Sequence, residues 1–378
     1  MHDYQEAIDK LTEEAEFAGH GPAKIALLEE AVRLADTHGN TEASFNIRLT
    51  LMEASTFAGR PDLLLVAFSW CLAQHDRDPD LFGDEDLLWK YKWVVNHLPD
   101  FPQISRKQID DMLADMETRF EEAGSTLHAV FQQKRDVLMS MGDFESAAEA
   151  NEQLAQTDRD WLSDCKACIA DTEVEHRVLY GEDEEALARA SLILRGRLSC
   201  AEVPQRTYAQ VLLPLLRLGR VDEAMSFHLK GYRQIAGNPG GFLNHIALHM
   251  NFLALTGNLA KAVKLLEKHL PAALENPSLG KRFDFYLSCR QVLDLLLGED
   301  KKAVKLRLPS AFPLYESGGN YLIGNLLGWF ANQTQDLAKR FDKRNGNTFF
   351  SQKIADLEKL KKLATPFPLP SKDKSPGA

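Results

Sequence analysis

The feature that most constrains this chain is a six-residue signature recurring about every 40 residues: a Gly, a short polar or acidic stretch, and an Ala five positions after the Gly. The clearest copies are Gly142-Asp-Phe-Glu-Ser-Ala147, Gly181-Glu-Asp-Glu-Glu-Ala186, Gly219-Arg-Val-Asp-Glu-Ala224, Gly257-Asn-Leu-Ala-Lys-Ala262 and Gly298-Glu-Asp-Lys-Lys-Ala303. Gly59 and Gly19 hold equivalent places without the Ala. From Gly19 to Gly298 the successive spacings are 40, 83, 39, 38, 38 and 41 residues, the 83 being two periods whose middle marker is missing near Leu98-Pro-Asp-Phe-Pro102. Eight units of about 40 residues thus account for most of the chain, a period in the range of helical repeat arrays.

Apolar spacing says what each unit is. Ahead of the Gly, apolar residues recur with helical period, as in Leu248, Phe252, Leu253 and Leu255 before Gly257, or Val211, Leu212, Leu215, Leu216 and Leu218 before Gly219. After it, a second amphipathic segment begins with a small residue (Ala147, Ala186, Ala224, Ala262), where two helices can cross closely. Some twenty residues past the marker, Gly39, Pro79, Pro239 and Pro277 break the second helix and turn the chain into the next unit. No segment alternates with period two between hairpin turns, so the expectation is an all-α chain with essentially no sheet.

Charge narrows the partners. Against 55 Asp and Glu stand 44 Lys and Arg, and a net charge of −11 repels phosphate backbones and anionic lipid at long range. Neither nucleic acid nor a membrane is therefore expected as the main partner. Hydrophobic residues at 44% and charged residues at 26% describe a chain that folds by itself. The start Met1-His2-Asp3-Tyr4-Gln5-Glu6 lacks the basic and apolar parts of a secretion signal, and five scattered cysteines do not suggest a disulfide framework. Both point to a cytoplasmic location.

The pattern Gly-polar-x-Glu-x-Ala in the middle of a helical hairpin resembles the tetratricopeptide repeat, and LGRVDEAMSFHLKGY (Leu218 to Tyr232) matches it best. The resemblance covers roughly Tyr4 to Ala303, although units of 38 to 42 residues exceed the family's 34 and imply longer helices or turns. It implies a right-handed superhelical solenoid of about eight hairpins over residues 1–308, with first helices lining a concave groove that binds a protein or peptide. An alternative is a peptide-responsive regulator whose solenoid changes curvature on binding. After Ala303, Pro309, Pro313 and Gly318-Gly319 interrupt the pattern, and capping helices are expected over 309–364. Within them DLAKRFDKRNGN (Asp336 to Asn347) is similar to a segment of large bacterial repeat proteins, implying a bacterial origin. From Thr365 a Pro-rich polar tail, 365–378, reads as disordered.

In the family, groove residues lie 13, 10 and 6 positions before the turn Gly. Here those positions hold Asn46 and Glu53, Gln132 and Asp136, Asp171 and Glu175, Arg206, and Asn244 and Asn251. An Asn amide can hold both the N–H and the C=O of an extended peptide, which makes Asn244 and Asn251 the foremost candidates. Ala247 stands where a carboxylate-clamping Lys would be needed. Asp136, Asp171 and Glu175 suggest either an acidic groove for a basic or amine-bearing partner, or ordinary solvated residues.

No phosphate loop, nucleophile elbow or paired-His zinc helix is present, so neither catalysis nor a cofactor is expected. Cys165-Lys-Ala-Cys168, with Cys200 or His176 completing a set, fits simple packing on a helix face, a zinc site or disulfide exchange. His245 and His249 lie four apart without the Glu of a zinc helix, while His228 and His269 hold no diagnostic spacing. Trp70, Trp89, Tyr91 and Trp93 fit a core stripe better than a ligand cage.

Overall fold

The computed structural model describes residues 3–369 and is all-helical apart from one short two-stranded ribbon. Among these residues no helix is long and apolar enough to cross a membrane. The chain divides into two compact units, 1–163 with 276–280, and 164–275 with 281–378. The boundary expected at 308 falls inside the second.

In the first unit consecutive helices pack as antiparallel pairs: α1 (Asp3–Phe17) with α2 (Pro22–Thr37), α3 (Thr41–Ala58) with α4 (Pro61–Arg77), α5 (Glu85–His97) with α6 (Arg106–Glu122), and α7 (His128–Met141) with α8 (Phe144–Ala155). The second continues with α9 (Lys166–Tyr180) and α10 (Asp183–Leu194), then α11 (Gln205–Gln210) and α12 (Leu212–Arg217) against α13 (Val221–Ile235), then α14 (Pro239–Leu255) and α15 (Leu259–Glu275). Pro214, lacking an N–H, splits α11 from α12.

The Gly markers work through their backbone. Gly59, Gly142, Gly181, Gly219 and Gly257 all take left-handed φ between 72° and 75°. In each, the Gly N–H bonds three residues back and the next N–H five back, as in Gly219 to Leu216 at 3.1 Å and Arg220 to Leu215 at 2.8 Å. A Cβ would be strained there, so this helix-ending closure selects Gly. The following Ala147, Ala186, Ala224 and Ala262 are all buried, at 1% exposure or less, where the paired helices cross. In the unit without a marker, the turn is built by a 3-10 turn over Leu98–Asp100 and a reciprocal Ser105–Gln108 cap on α6.

The last marker is a misreading. Gly298 ends α16 (Leu279–Gly298), and Ala303 is exposed in strand β1 (Ala303–Lys305), which pairs antiparallel with β2 (Asn320–Leu322). A second helix there would carry Pro309 and Pro313 in its interior, each costing about 3 kcal/mol, so the chain forms a ribbon instead. Among the described residues seven hairpins form where about eight were expected, and the expected absence of sheet is corrected by this ribbon. The chain then continues as α17 (Ile323–Asn345), α18 (Phe349–Ala355) and α19 (Leu357–Lys361). Leu360, with Leu363 and Phe367 beyond it, packs on a core of Leu213, Leu216, Val221 and Leu255.

Candidate binding site

In the second unit the first helices α9, α11 and α14 pack side by side and carry a file of polar residues. Asp171 on α9 is fully buried, and Arg206 on α11 places Nε 3.1 Å from its Oδ2. Arg206 also reaches Glu175 at 3.7 Å and Glu202 at 3.9 Å. Thr207 donates its hydroxyl to the other Asp171 oxygen, and the Gln210 amide, turned to satisfy both its ends, donates to it at 3.2 Å. Burial pushes the Asp171 carboxyl above its usual range, with Arg206 opposing. Burial also works against the Arg206 charge, but Asp171, Glu202 and Glu175 outweigh it and keep the guanidinium protonated. Three of the sequence candidates thus meet in one ion-paired knot, and the acidic character expected of Asp171 and Glu175 is balanced by Arg206.

On α14 the file continues differently. Asn244 is half-buried and Asn251 is 9% exposed; seven residues apart, they lie on one helix face about 10 Å apart. The amide oxygens of both are buried without a hydrogen-bond partner in the chain, as are His245 Nδ1 and both amide atoms of Gln291 on α16. Buried acceptors without donors are costly and uncommon in folded proteins. Behind this face runs a chain of neutral rings: His249 Nδ1 meets His228 Nδ1 at 3.0 Å, His228 stacks on Tyr232, and Tyr232 OH meets His269 Nε2 at 2.9 Å. Burial lowers His228 and His269 to about 4 and holds His245 and His249 well below their ordinary value, with Arg206 and Lys281 adding to the effect on His245.

The same unit already holds one extended peptide, its own. The Thr365 N–H donates to Leu255 O at 2.8 Å and the Phe367 N–H to Thr256 O at 2.9 Å. The Asn258 amide then grips the segment at two points, donating to Phe367 O at 2.9 Å and accepting from the Leu369 N–H at 3.0 Å. Phe367 and Leu369 pack against the core around Val211, Leu212 and Leu215. Residues 365–369 of the tail expected to be loose are therefore tied down, while 370–378 lie outside the described residues. Beside the tail, a cavity of about 600 Å³ is lined by Leu255, Gly257, Asp294, Lys361 and Pro366, among others.

Cys165 caps the start of α9, and Cys200 comes from the loop before α11. The sulfurs of Cys165, Cys168 and Cys200 lie within 4.8 Å of one another. His176 does not join them; eight residues beyond Cys168 on the same helix, it stands about 12 Å further along the axis. Burial raises the Cys165 thiol, but hydrogen bonds from the Cys168 N–H, the Cys168 and Cys200 side chains and the Ala167 N–H outweigh that and hold it below its usual range. Cys168 is pushed the other way, by burial and then by Cys165.

Asn46 and Glu53 are exposed on α3, whereas Gln132 is buried on α7, with α5 packed against both helices. Asp136 pairs with its neighbour Arg135 at 2.9 Å. Trp70 and Trp93 pack on the core edge, and Trp70, Trp89 and Trp93 all lie under cations: Arg48 on Trp70 at 3.9 Å, Lys92 on Trp89 at 3.3 Å and Lys90 on Trp93 at 5.0 Å.

Sequence reasoning missed Thr207, Gln210, Gln291 and Asn258. Thr207 and Gln210 sit on α11 beside Arg206, but away from the three family offsets, and Gln291 sits on α16, where no candidate was placed. Asn258 directly follows the Gly257 marker, and only the tail's return reveals its use. No family model matches the chain, and no curated protein matches it.

Proposed function

We propose that this chain is a protein- or peptide-binding module without catalysis, a right-handed superhelical solenoid of tetratricopeptide-like hairpins whose recognition surface is the polar file on α9, α11 and α14. One observation carries the reading: Asn244 and Asn251 present buried amide oxygens that the chain leaves without donors. A partner's main-chain N–H or an amine supplies those donors, and the two-point grip of Asn258 on Phe367 and Leu369 is an instance of the same chemistry within the chain. The ion-paired knot at Arg206 fixes the neighbouring helices so that the acceptors are held in place before the partner arrives, which lowers the entropy lost on binding. A protein partner with a basic or amine-bearing segment fits this surface better than nucleic acid or a membrane, given the net charge of −11.

Affinity capture from the native cell with the full chain, beside an Asn244→Ala, Asn251→Ala variant of unchanged helicity, tests the reading. A partner held by the parent and lost by the variant supports it. A partner retained equally by both moves recognition elsewhere.

A further inference from the structure

Three thiols converging from two separate segments are more than disulfide exchange or helix packing requires. A dithiol exchange site uses two sulfurs, and Cys165 and Cys168 alone would provide them. Packing of a small apolar residue would bury the sulfurs, yet Cys165 and Cys200 are exposed, in contrast to the fully buried Cys71 and Cys289. Cys200 is brought to the pair across 32 residues of chain by the loop between α10 and α11, whose Cys200 N–H bonds Val203 O at 2.9 Å. Sulfurs within 4.8 Å of one another are close to the spacing of a tetrahedral thiolate site, where metal–sulfur bonds of about 2.3 Å set the sulfurs about 3.8 Å apart.

We infer that Cys165, Cys168 and Cys200 form a binding site for one thiophilic divalent cation of the zinc class, held by three thiolates with a fourth position left to an exogenous ligand. Soft sulfur donors select such a cation over magnesium or calcium. Binding forms three metal–sulfur bonds and releases three thiol protons to solvent, with no change in oxidation state. The complex keeps one net negative charge, and two features of the fold oppose it. The first is the N-terminal turn of α9, whose Cys168 N–H already donates to the Cys165 sulfur at 3.4 Å. The second is the Arg206 guanidinium, whose charge acts on Cys168. A bound cation would tie the start of α9 to the loop entering α11, the two helices that carry Asp171 and Arg206. This site stands independently of the peptide-binding reading.

The test is anaerobic titration of the reduced full chain with cobalt(II), read by absorption. One cobalt per chain, with an intense sulfur-to-cobalt charge-transfer band and the visible bands of tetrahedral coordination, both bleached by zinc(II), is the expected result. Cys200→Ser loses the saturable charge-transfer band, Cys289→Ser keeps it, and Asn244→Ala with Asn251→Ala keeps it as well, which separates this site from the partner surface. A parent chain whose three thiols all react freely with a thiol reagent in excess zinc and that gives no charge-transfer band overturns the proposal. So does a band that survives Cys200→Ser unchanged. The parent spectrum alone decides the matter should a serine variant fail to fold.

Discussion

In the first unit Lys92 is only 1% exposed, yet its ammonium donates to Leu162 O at 2.6 Å and lies 3.3 Å from the Trp89 ring. In the second unit Asn251 is only 9% exposed and its amide oxygen meets no donor in the chain. The contrast extends to neighbours. Gln133 bonds Asn96, Arg135 holds Asp136 and Asn151, and His128 meets Ser163; the contrast is one of degree, because the buried Ser55 hydroxyl and Arg135 Nη2 also make no hydrogen bond in that unit. Asn244, His245 and Gln291 in the second unit have buried atoms with no such closure. Polar groups buried and satisfied hold a fold together; groups buried and left open cost stability, a cost that the proposed partner would offset by supplying donors.

Acidification separates the units most strongly. His228 and His269 titrate at about 4 in the fold, with His245 and His249 also depressed, against about 6.5 when unfolded. Above pH 6.5 both states are neutral and these histidines contribute no pH dependence. Below it the unfolded state takes up protons that the fold refuses, so His228 and His269 each cost stability at about 1.4 kcal/mol per pH unit down to about pH 4, and His245 and His249 act in the same direction. Hydrogen exchange followed from pH 7 to 5 should show α13 to α15 losing protection, and His228→Phe should flatten that loss. Protection that does not change with pH would break the contrast.

Arg206→Met leaves the fully buried Asp171 without its nearest countercharge and should destabilise the second unit by about 3–5 kcal/mol at neutral pH. The loss should shrink in acid as Asp171 takes up a proton, which denaturant unfolding at two pH values checks. In the first unit, Lys92→Ala removes a charged hydrogen bond and a cation over Trp89, and should cost about 2–3 kcal/mol. Protection of the loop around Leu162 reports it. Smaller still, Asn258→Ala should cost about 1 kcal/mol and free residues 365–369, visible as faster exchange at the Thr365 and Phe367 amides.

How much of this was legible in sequence follows from which forces act locally. Gly142, Gly181, Gly219 and Gly257 were readable because a left-handed helix end admits Gly, and Ala147 or Ala224 because a close crossing admits a small side chain. Both are decided within six residues. Gly298 failed because the same letters precede Pro309 and Pro313, which govern a longer span. Among the site residues, Asp171, Glu175 and Arg206 were found by their offsets from the marker, but that the three pair with one another depends on the packing of α9 against α11. Cys200 was a candidate by type alone, and its distance from Cys165 came from the course of a loop. The tail's docking on Asn258 joins residues 109 and 111 apart, beyond any local pattern.

The contrast between satisfied and open polar groups meets its most direct test in the unfolding free energy of the full chain carrying Asn251→Leu. A buried acceptor kept open for a partner is a liability to the free fold, so replacing it with an apolar side chain of similar size should raise stability by about 1 kcal/mol. A loss of about that size or more would show that Asn251 serves the fold itself and would contradict the account.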